Sequence, residues 1–358
     1  MSEREGPSQP ELALLMGLVA IPSPTGATAE AADWLAAQLR GLGVAVRVDP
    51  PGNVCAVVEP SQAGPDGGEL YLLGHLDTVA GFWPPIIERG RLSGRGASDA
   101  KGPLAAFVAA SVRARDSGRL RRRVSILAVA DEEGDSQGAR LLGSSLPPPS
   151  FLIVGEPSGS DRVVLGYRGR LRCTWELSCP ARHSSRPEPT AAELGMAAWA
   201  EMQMEVRAIN GPKSGFDALD AHLLAIASRA DGLRDTIRLE LGFRLPPTLD
   251  PLDLVARLER LGLGGRFEVN GAEAAAEVPR TGILPTLFGQ AIVAEGATVS
   301  WQRRLATSDL NVVLPEWRCP AVVYGPGDAA LDHTPQESIE LDDYAMGIRV
   351  LARVLEQL

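Results

Sequence analysis

Residues 72–82 read LLGHLDTVAGF, and this stretch decides the fold. Leu70, Tyr71, Leu72 and Leu73 form a short apolar run, which predicts a strand buried in a mostly parallel sheet. The run gives way to His75 and Asp77, one residue apart. Open α/β sheets bind ligands in the crevice outside the carboxyl ends of their strands, and polar residues at this tip would face such a crevice. An isolated His-x-Asp also describes a capped strand end with a satisfied histidine. The pair gains meaning only from what else in the chain converges on it.

The chain has 358 residues, more than one hydrophobic core ordinarily serves, so two domains are expected. Its 45% hydrophobic and 22% charged residues are those of an ordinary soluble globular protein. A formal net charge of −10 argues against a general nucleic-acid binder, though not against a local basic patch. Lysine occurs only at Lys101 and Lys213, so arginine carries nearly all the positive charge. Cys55, Cys173, Cys179 and Cys319 are scattered without a C-x-x-C pair, as expected of reduced cysteines in a cytosolic protein. The apolar stretch 12–21 is too short and interrupted for a signal peptide or a membrane span. A cytoplasmic location with no membrane association is expected.

Apolar spacing predicts helices over residues 10–19 and 28–43, paired strands over 44–49 and 53–59, and an Ala-rich helix over 99–118. RVSILAVADEEG (123–134) and SFLIVGEPSG (150–159) are two more apolar strands that end in acidic residues. Strands alternating with helices predict a doubly wound, mostly parallel α/β catalytic core. From about residue 170 the texture changes to alternating strands (170–179, 236–245) and amphipathic helices (190–209, 251–263). That pattern predicts an inserted α+β domain, giving a core of 1–169 and 272–358 around an insert of 170–271. His222, in FDALDAHLLAIASRA, is expected on a helix in a structural role. The Gly/Pro-rich stretch near 60–68 is expected as a loop, and no internal repeat is evident.

His75, Asp77, Glu132, Glu133 and Glu156 sit at predicted strand ends. Asp99 lies in SGRGASDAKG just before a helix, and His333 lies in GPGDAALDHTP after the strand AVVYG. Five carboxylates gathered in one crevice would not be tolerated without cations. One divalent cation would leave them near a net charge of about −3, and two near about −1, so charge balance favours a dinuclear site with a bridging carboxylate. Imidazole and carboxylate suit zinc, and two such ions could hold a water between them and polarise a carbonyl.

GHLDTV, GRGASDAKG, DEEGDSQGAR, GEPSG and the late DHTP, in this order over nearly the whole chain, resemble the zinc-dependent aminoacylase/carboxypeptidase family. That resemblance implies two zinc ions per chain, with cobalt or manganese as alternatives. His75, Asp99 and Glu156 would bind one, and Asp99, Glu133 and His333 the other. It also implies that Asp77 hydrogen-bonds and orients His75, and that Glu132 is the general base that returns its proton to the leaving amine. The insert would be a lid and dimerisation domain. There His183, in the H-x-x-x-P spacing of ARHSSRPEP, would reach a neighbouring site across a homodimer and stabilise the oxyanion.

Arg244 in LGFRLPP resembles the lid arginine that holds a substrate carboxylate, and Thr307 and Ser308 in TSDLN resemble a loop near the substrate pocket. The family's asparagine-valine-isoleucine-proline stretch before the lid arginine is replaced here by LRDTIRLEL, which implies a different acyl group. Residues 82–107, 131–142 and 153–171 are most similar to the family's branch that frees lysine or ornithine from an amino-group carrier protein. The resemblance implies a late step of lysine (2-aminoadipate route) or arginine biosynthesis. The carrier, a small acidic protein, holds the amino acid through the γ-carboxyl of its C-terminal glutamate.

Arg168, Arg170 and Arg172 recur at every second position and would share one strand face, and Arg119, Arg121, Arg122 and Arg123 form a second cluster. Either could steer an acidic carrier, and either could be a solvated face. Two competing functions remain at this stage. A deacylase of a small N-acyl amino acid, of the acetylornithine or succinyl-diaminopimelate type, would share every metal residue. A metal-retaining binding protein would be expected to lack Glu132, which is present. A dinucleotide site at GRGASD is excluded, because the glycine pattern is incomplete and an acid stands where phosphate would sit.

Overall fold

The computed structural model describes residues 6–60, 68–183, 185 and 187–358. The loop expected around 60–68 falls mostly at 61–67, outside the described residues. The chain divides into two compact units. One comprises Met1–Leu165, Val278–Gln302 and Ser308–Leu358, the other Gly166–Glu277 and Arg303–Thr307. The sequence reading had placed these divisions at 169/170 and 271/272, and had no return of residues 303–307 to the second unit.

The first unit is a three-layer α/β structure. Its central sheet runs in the order Ala45–Val48, Val54–Val58, Arg123–Val129, Glu69–His75, Phe151–Val154, Ala321–Val323, then the strand that begins at Arg162. The four middle strands are mutually parallel, while the flanking pairs are antiparallel. Glu69–His75 lies in the middle, buried along nearly all its length, as its continuous apolar run requires. Helix Lys101–Asp116 carries Leu104, Phe107 and Val108 into the core and packs against the C-terminal helix Leu341–Gln357. Gly155 makes room for it, since a Cβ there would meet the Phe107 ring at 2.6 Å.

The connections fix where chemistry can occur. From Glu69–His75 the chain crosses over to Arg123–Val129 on one side. It then crosses to Phe151–Val154 on the other side of the same strand. Such a reversal of winding direction opens a crevice at the carboxyl end of the strand it straddles. Here that strand ends in His75. A small sheet of Ile86–Glu88, Arg91–Ser93 and Ser338–Glu340 lies in the same unit.

The second unit is a four-stranded antiparallel sheet, ordered Asp220–Ala230, Arg234–Leu245, Gly169–Pro180, Arg266–Glu273. Helices Ala191–Asn210 and Pro251–Glu259 cover one face of it, around a core of Trp175, Met202, Ile237, Phe243 and Leu254. Thr190 and Glu193 form a capping box at the first helix, and Asp250 caps the second. His222 does not lie on a helix. It is an exposed residue of strand Asp220–Ala230, the first arm of a hairpin that turns at Gly232-Leu233 between Asp231 and Arg234. Gly232 sits at φ +88°, and Asp231 Oδ1 accepts from the N–H groups of Leu233 and Arg234. Pairing along Arg234–Leu245 overrides the helical preference of the Ala/Leu-rich segment.

Candidate metal centre

The site stands at the end of the His75 strand. In register, His75 lies beside Val129 and Leu73 beside Val154, so Glu132 and Glu133 follow one neighbouring strand and Glu156 the other at the same level. Asp99 is carried on the loop before helix Lys101–Asp116. His333 follows strand Ala321–Val323 in a left-handed conformation, φ 59°.

Asp99 joins two groups of potential ligands. Its Oδ1 lies 3.2 Å from His75 Nε2, and its Oδ2 lies 3.1 Å from His333 Nε2. His333 Nε2 is also 2.9 Å from Glu133 Oε1. Ligand atoms of His75, Asp99 and Glu156 all lie within 4.8 Å of one another, and those of Asp99, Glu133 and His333 do likewise. The two triads share only Asp99, with one oxygen turned to each.

The electrostatics show what this pocket lacks. Burial pushes Asp99 up, but hydrogen bonds from His333 and His75 outweigh it and hold the carboxyl well below its usual range. Burial lowers His75, yet the acids around it, Asp77 and Asp99 foremost, hold its pKa well above normal. His333 is raised to about 10 by its hydrogen bonds to Asp99 and Glu133. Glu132 and Glu156 are both raised well above the carboxylate range, first by burial and then by neighbouring acids. Protons on imidazoles and carboxyls thus stand where cations would balance the charge. A set of imidazole nitrogens and carboxylate oxygens short of positive charge fits divalent metal ions.

Asp77 meets His75 through its main chain and its side chain. His75 Nδ1 lies 2.9 Å from the main-chain carbonyl of Asp77, whereas the Asp77 carboxylate stays at 3.6 Å from that nitrogen. The ring is therefore oriented by the backbone. The carboxylate accepts the N–H of Glu132 at 3.0 Å, that of Glu133 at 3.1 Å, and the Thr25 hydroxyl at 2.9 Å. It fixes the turn that presents the acidic pair.

Residues named only by resemblance are distributed as follows. Arg244 is partly buried on strand Arg234–Leu245 and donates through Nη1 to Thr307 Oγ1 at 2.9 Å. Ser308 is buried and caps helix Asp309–Trp317, its Oγ accepting from Leu310 N–H. His183 is exposed, with Nδ1 2.8 Å from Ser185 Oγ; Ser184 and Arg186 of the same stretch lie outside the described residues.

Arg168 does not share a strand face with Arg170 and Arg172. It lies between two strands with 3% exposure. Its guanidinium donates to the carbonyls of Leu305, Gly215 and Ala218 and to the Asp220 carboxylate. Arg170 donates to Glu273 Oε2 at 2.9 Å. In the second cluster Arg119 pairs with Glu356, Arg122 donates to the Leu358 carbonyl, and Arg123 pairs with Glu59 and Glu69.

Three buried residues beside the site went unassigned in the sequence. Lys101 is 1% exposed and donates to the carbonyls of Leu18 (3.0 Å) and Ile21 (2.6 Å), and burial lowers its pKa to about 8. Asp309 is raised to about 7, chiefly by burial. Glu337 is fully buried. A lone lysine inside an apolar helix start, and a glutamate four residues after a ligand histidine, were the available signals.

Two triads of His, Asp and Glu able to hold metal ions, at the switch point of an α/β core, are the arrangement of a metal-dependent hydrolase. Residues 71–357 match the model of Peptidase family M20/M25/M40. The chain belongs to this family and is a metal-dependent hydrolase of amide bonds. It is 34% identical to a Deinococcus radiodurans protein named LysW-lysine hydrolase, with 96% of each chain covered. It is 33% identical to a Thermococcus kodakarensis protein carrying the provisional name LysW-lysine/LysW-ornithine hydrolase, covering 98% of this chain and 93% of that one. A tripeptidase from Staphylococcus aureus shares the fold, with a TM-score of 0.79 at 18% identity over 98% of both chains.

Proposed function

We propose that this protein releases lysine or ornithine from the γ-carboxyl of the C-terminal glutamate of an acidic amino-group carrier protein, the LysW of its relatives' names. The step would belong to lysine or arginine biosynthesis in the cytoplasm. The observation that carries the substrate reading is the end-to-end similarity to a protein named for LysW-lysine hydrolysis. No helix among the described residues is long and apolar enough to cross a membrane.

In this reading His75, Asp99 and Glu156 hold one divalent cation, and Asp99, Glu133 and His333 the other. Zinc is the first choice for such donors, with cobalt and manganese as alternatives. Bound there, the ions would polarise the scissile carbonyl and acidify the attacking water. Glu132 takes a proton from that water as its oxygen attacks the carbonyl carbon, then passes it to the amine as the C–N bond breaks. Its buried, acid-crowded surroundings raise its proton affinity, which suits a group that must both accept and return a proton. Asp77 holds the Glu132 and Glu133 backbone in place for this exchange.

For the lysine or ornithine carboxylate we propose Arg244. It stands directly opposite Arg170 across the antiparallel pair, and Arg170 is itself paired with Glu273. A planar guanidinium can hold a substrate carboxylate by a bidentate pair. Thr307 accepts from Arg244 and so fixes its guanidinium. The second unit is proposed as lid and homodimer surface, with His183 serving the partner's site. Its edge strand Asp220–Ala230 exposes Leu224 at 58% and Ile226 at 49%, an edge suited to symmetric pairing.

The test is direct. The zinc-loaded protein is incubated with carrier-γ-lysine, carrier-γ-ornithine, acetylornithine and succinyl-diaminopimelate, and products are followed by intact mass. Loss of lysine or ornithine from the carrier is expected. Turnover of small acyl substrates alone would keep the hydrolytic site and overturn the carrier.

A further inference from the structure

Asp99 can turn one oxygen to each triad only if the loop that carries it is held still. That loop belongs to neither strand nor helix, so its N–H groups need partners from elsewhere. Strand Arg91–Ser93 pairs with Ser338–Glu340, Ser93 opposite Ser338, and the Gly94 N–H donates to the Glu337 carbonyl at 3.2 Å. This register delivers the Glu337 side chain into the mouth of the loop. Its Oε1 accepts the N–H of Ser98 at 3.1 Å and that of Asp99 itself at 3.1 Å. Its Oε2 takes Arg95 Nη1 at 2.6 Å. Arg95 is in turn fixed over the Trp83 ring at 5.0 Å, with its Nε donating to the Gly81 carbonyl.

Glu337 is also bonded, through its own backbone, to the turn that carries the second imidazole. Its N–H donates to the Thr334 carbonyl, and Thr334 directly follows His333. One residue thus ties the main chain of Asp99, through its side chain, to the turn that presents His333, through its backbone; Asp99 and His333 are two donors of the same triad. A fully buried carboxylate with three donors on it is costly to form and rigid once formed. Partners behind metal ligands are often worth 10–100-fold in affinity.

We infer that Glu337 is a positioning residue for the metal centre, clamping the Asp99 loop to the His333 turn so that Asp99 can serve both ions. It touches no reacting atom. The inference rests on the metal-centre reading above and extends it to a residue outside the donor set.

The experiment compares the full-length wild type with Glu337→Ala and Glu337→Gln, stripped and reloaded with zinc. Affinity is read by competition with a chromophoric chelator, occupancy by elemental mass spectrometry, and folding by melting of the metal-free chains. Glutamine keeps one oxygen for the Ser98 and Asp99 N–H groups, whereas alanine keeps none. Glu337→Ala is expected to bind its weaker ion about 10–100-fold less tightly. Its kcat should recover as zinc is raised, with KM little changed. Glu337→Gln should stay within about fivefold of wild type in affinity.

A merely structural role would lower the melting temperature of both variants while leaving zinc affinity untouched, and that result overturns the inference. If Glu337→Ala does not fold, Glu337→Asp replaces it, one methylene too short to reach both N–H groups and Arg95 together. Equal affinity in that variant overturns the inference as well. Failure of the metal-centre reading has a separate signature, namely a wild type that retains no ion at all.

Discussion

Asp99→Asn perturbs the shared carboxylate with almost no change of shape. Each Asp99 oxygen faces its own imidazole, at 3.2 Å for His75 and 3.1 Å for His333. The amide keeps one oxygen and replaces the other with an NH2 group, which offers no lone pair to a cation. Whichever way it turns, one triad loses a ligand and both lose a share of negative charge. Two unit charges about 3 Å apart interact by about 5 kcal/mol at an effective dielectric near ~20. Even if relaxation of the other carboxylates recovers half of this, roughly 2.5 kcal/mol remains, close to a hundredfold in affinity. The expected result is about one ion per chain instead of two after dialysis against a zinc buffer, by elemental mass spectrometry. Amide hydrolysis should fall by at least ~10², with an unchanged circular dichroism spectrum. Two tightly held ions together with normal turnover would refute the reasoning.

Glu132→Gln should retain both ions and lose about 10²–10⁴ in kcat, the usual share of a general base; wild-type hydrolysis by that variant removes Glu132 from the mechanism. Arg168→Met should cost about 1–3 kcal/mol in urea unfolding, because it leaves buried carbonyls and Asp220 without their donor. The same variant should leave KM for the carrier substrate unaltered, and a raised KM at unchanged stability would return Arg168 to substrate contact. His183→Ala and Glu132→Gln proteins, each nearly inactive, should regain activity when dissociated and reassociated together. In hybrid dimers one site is complete, giving about a quarter of wild-type turnover for random pairing. Hybrids that stay silent would confine His183 to its own chain.

The core was legible because its signals are local. Leu70 to Leu73 had to be buried on both faces, and the strand does lie between two parallel neighbours. The polar residues after each apolar strand then had to share one end of the sheet. The hairpin at 220–245 was misread for an equally physical reason. AHLLAIASRA (221–230) has helical composition, and its strand form is set by pairing with a segment downstream. Gly232-Leu233 at the tip, with glycine first, is a hairpin signal that the sequence reading did not use.

The donor set of the site was legible from residue type and order, but its supports were not. A sequence displays side chains, and the contacts that organise this pocket involve main-chain groups. His75 is oriented by the Asp77 carbonyl, and the Asp77 carboxylate spends itself on the N–H groups of Glu132 and Glu133. Glu337 does the same for Ser98 and Asp99. Both acids therefore act on the metal centre at one remove, by fixing the backbone from which ligands project. An acid spent on backbone N–H groups is neutralised by fixed dipoles and does not need a cation of its own. This changes the charge count at the centre. Asp77 drops out of the carboxylates that cations must balance, leaving Asp99, Glu132, Glu133 and Glu156. Two divalent cations held there would match those four charges, and a proton passing from water to Glu132 leaves the sum unchanged while shifting negative charge from the Glu132 carboxylate to the substrate oxygen, where the positive centre would stabilise it.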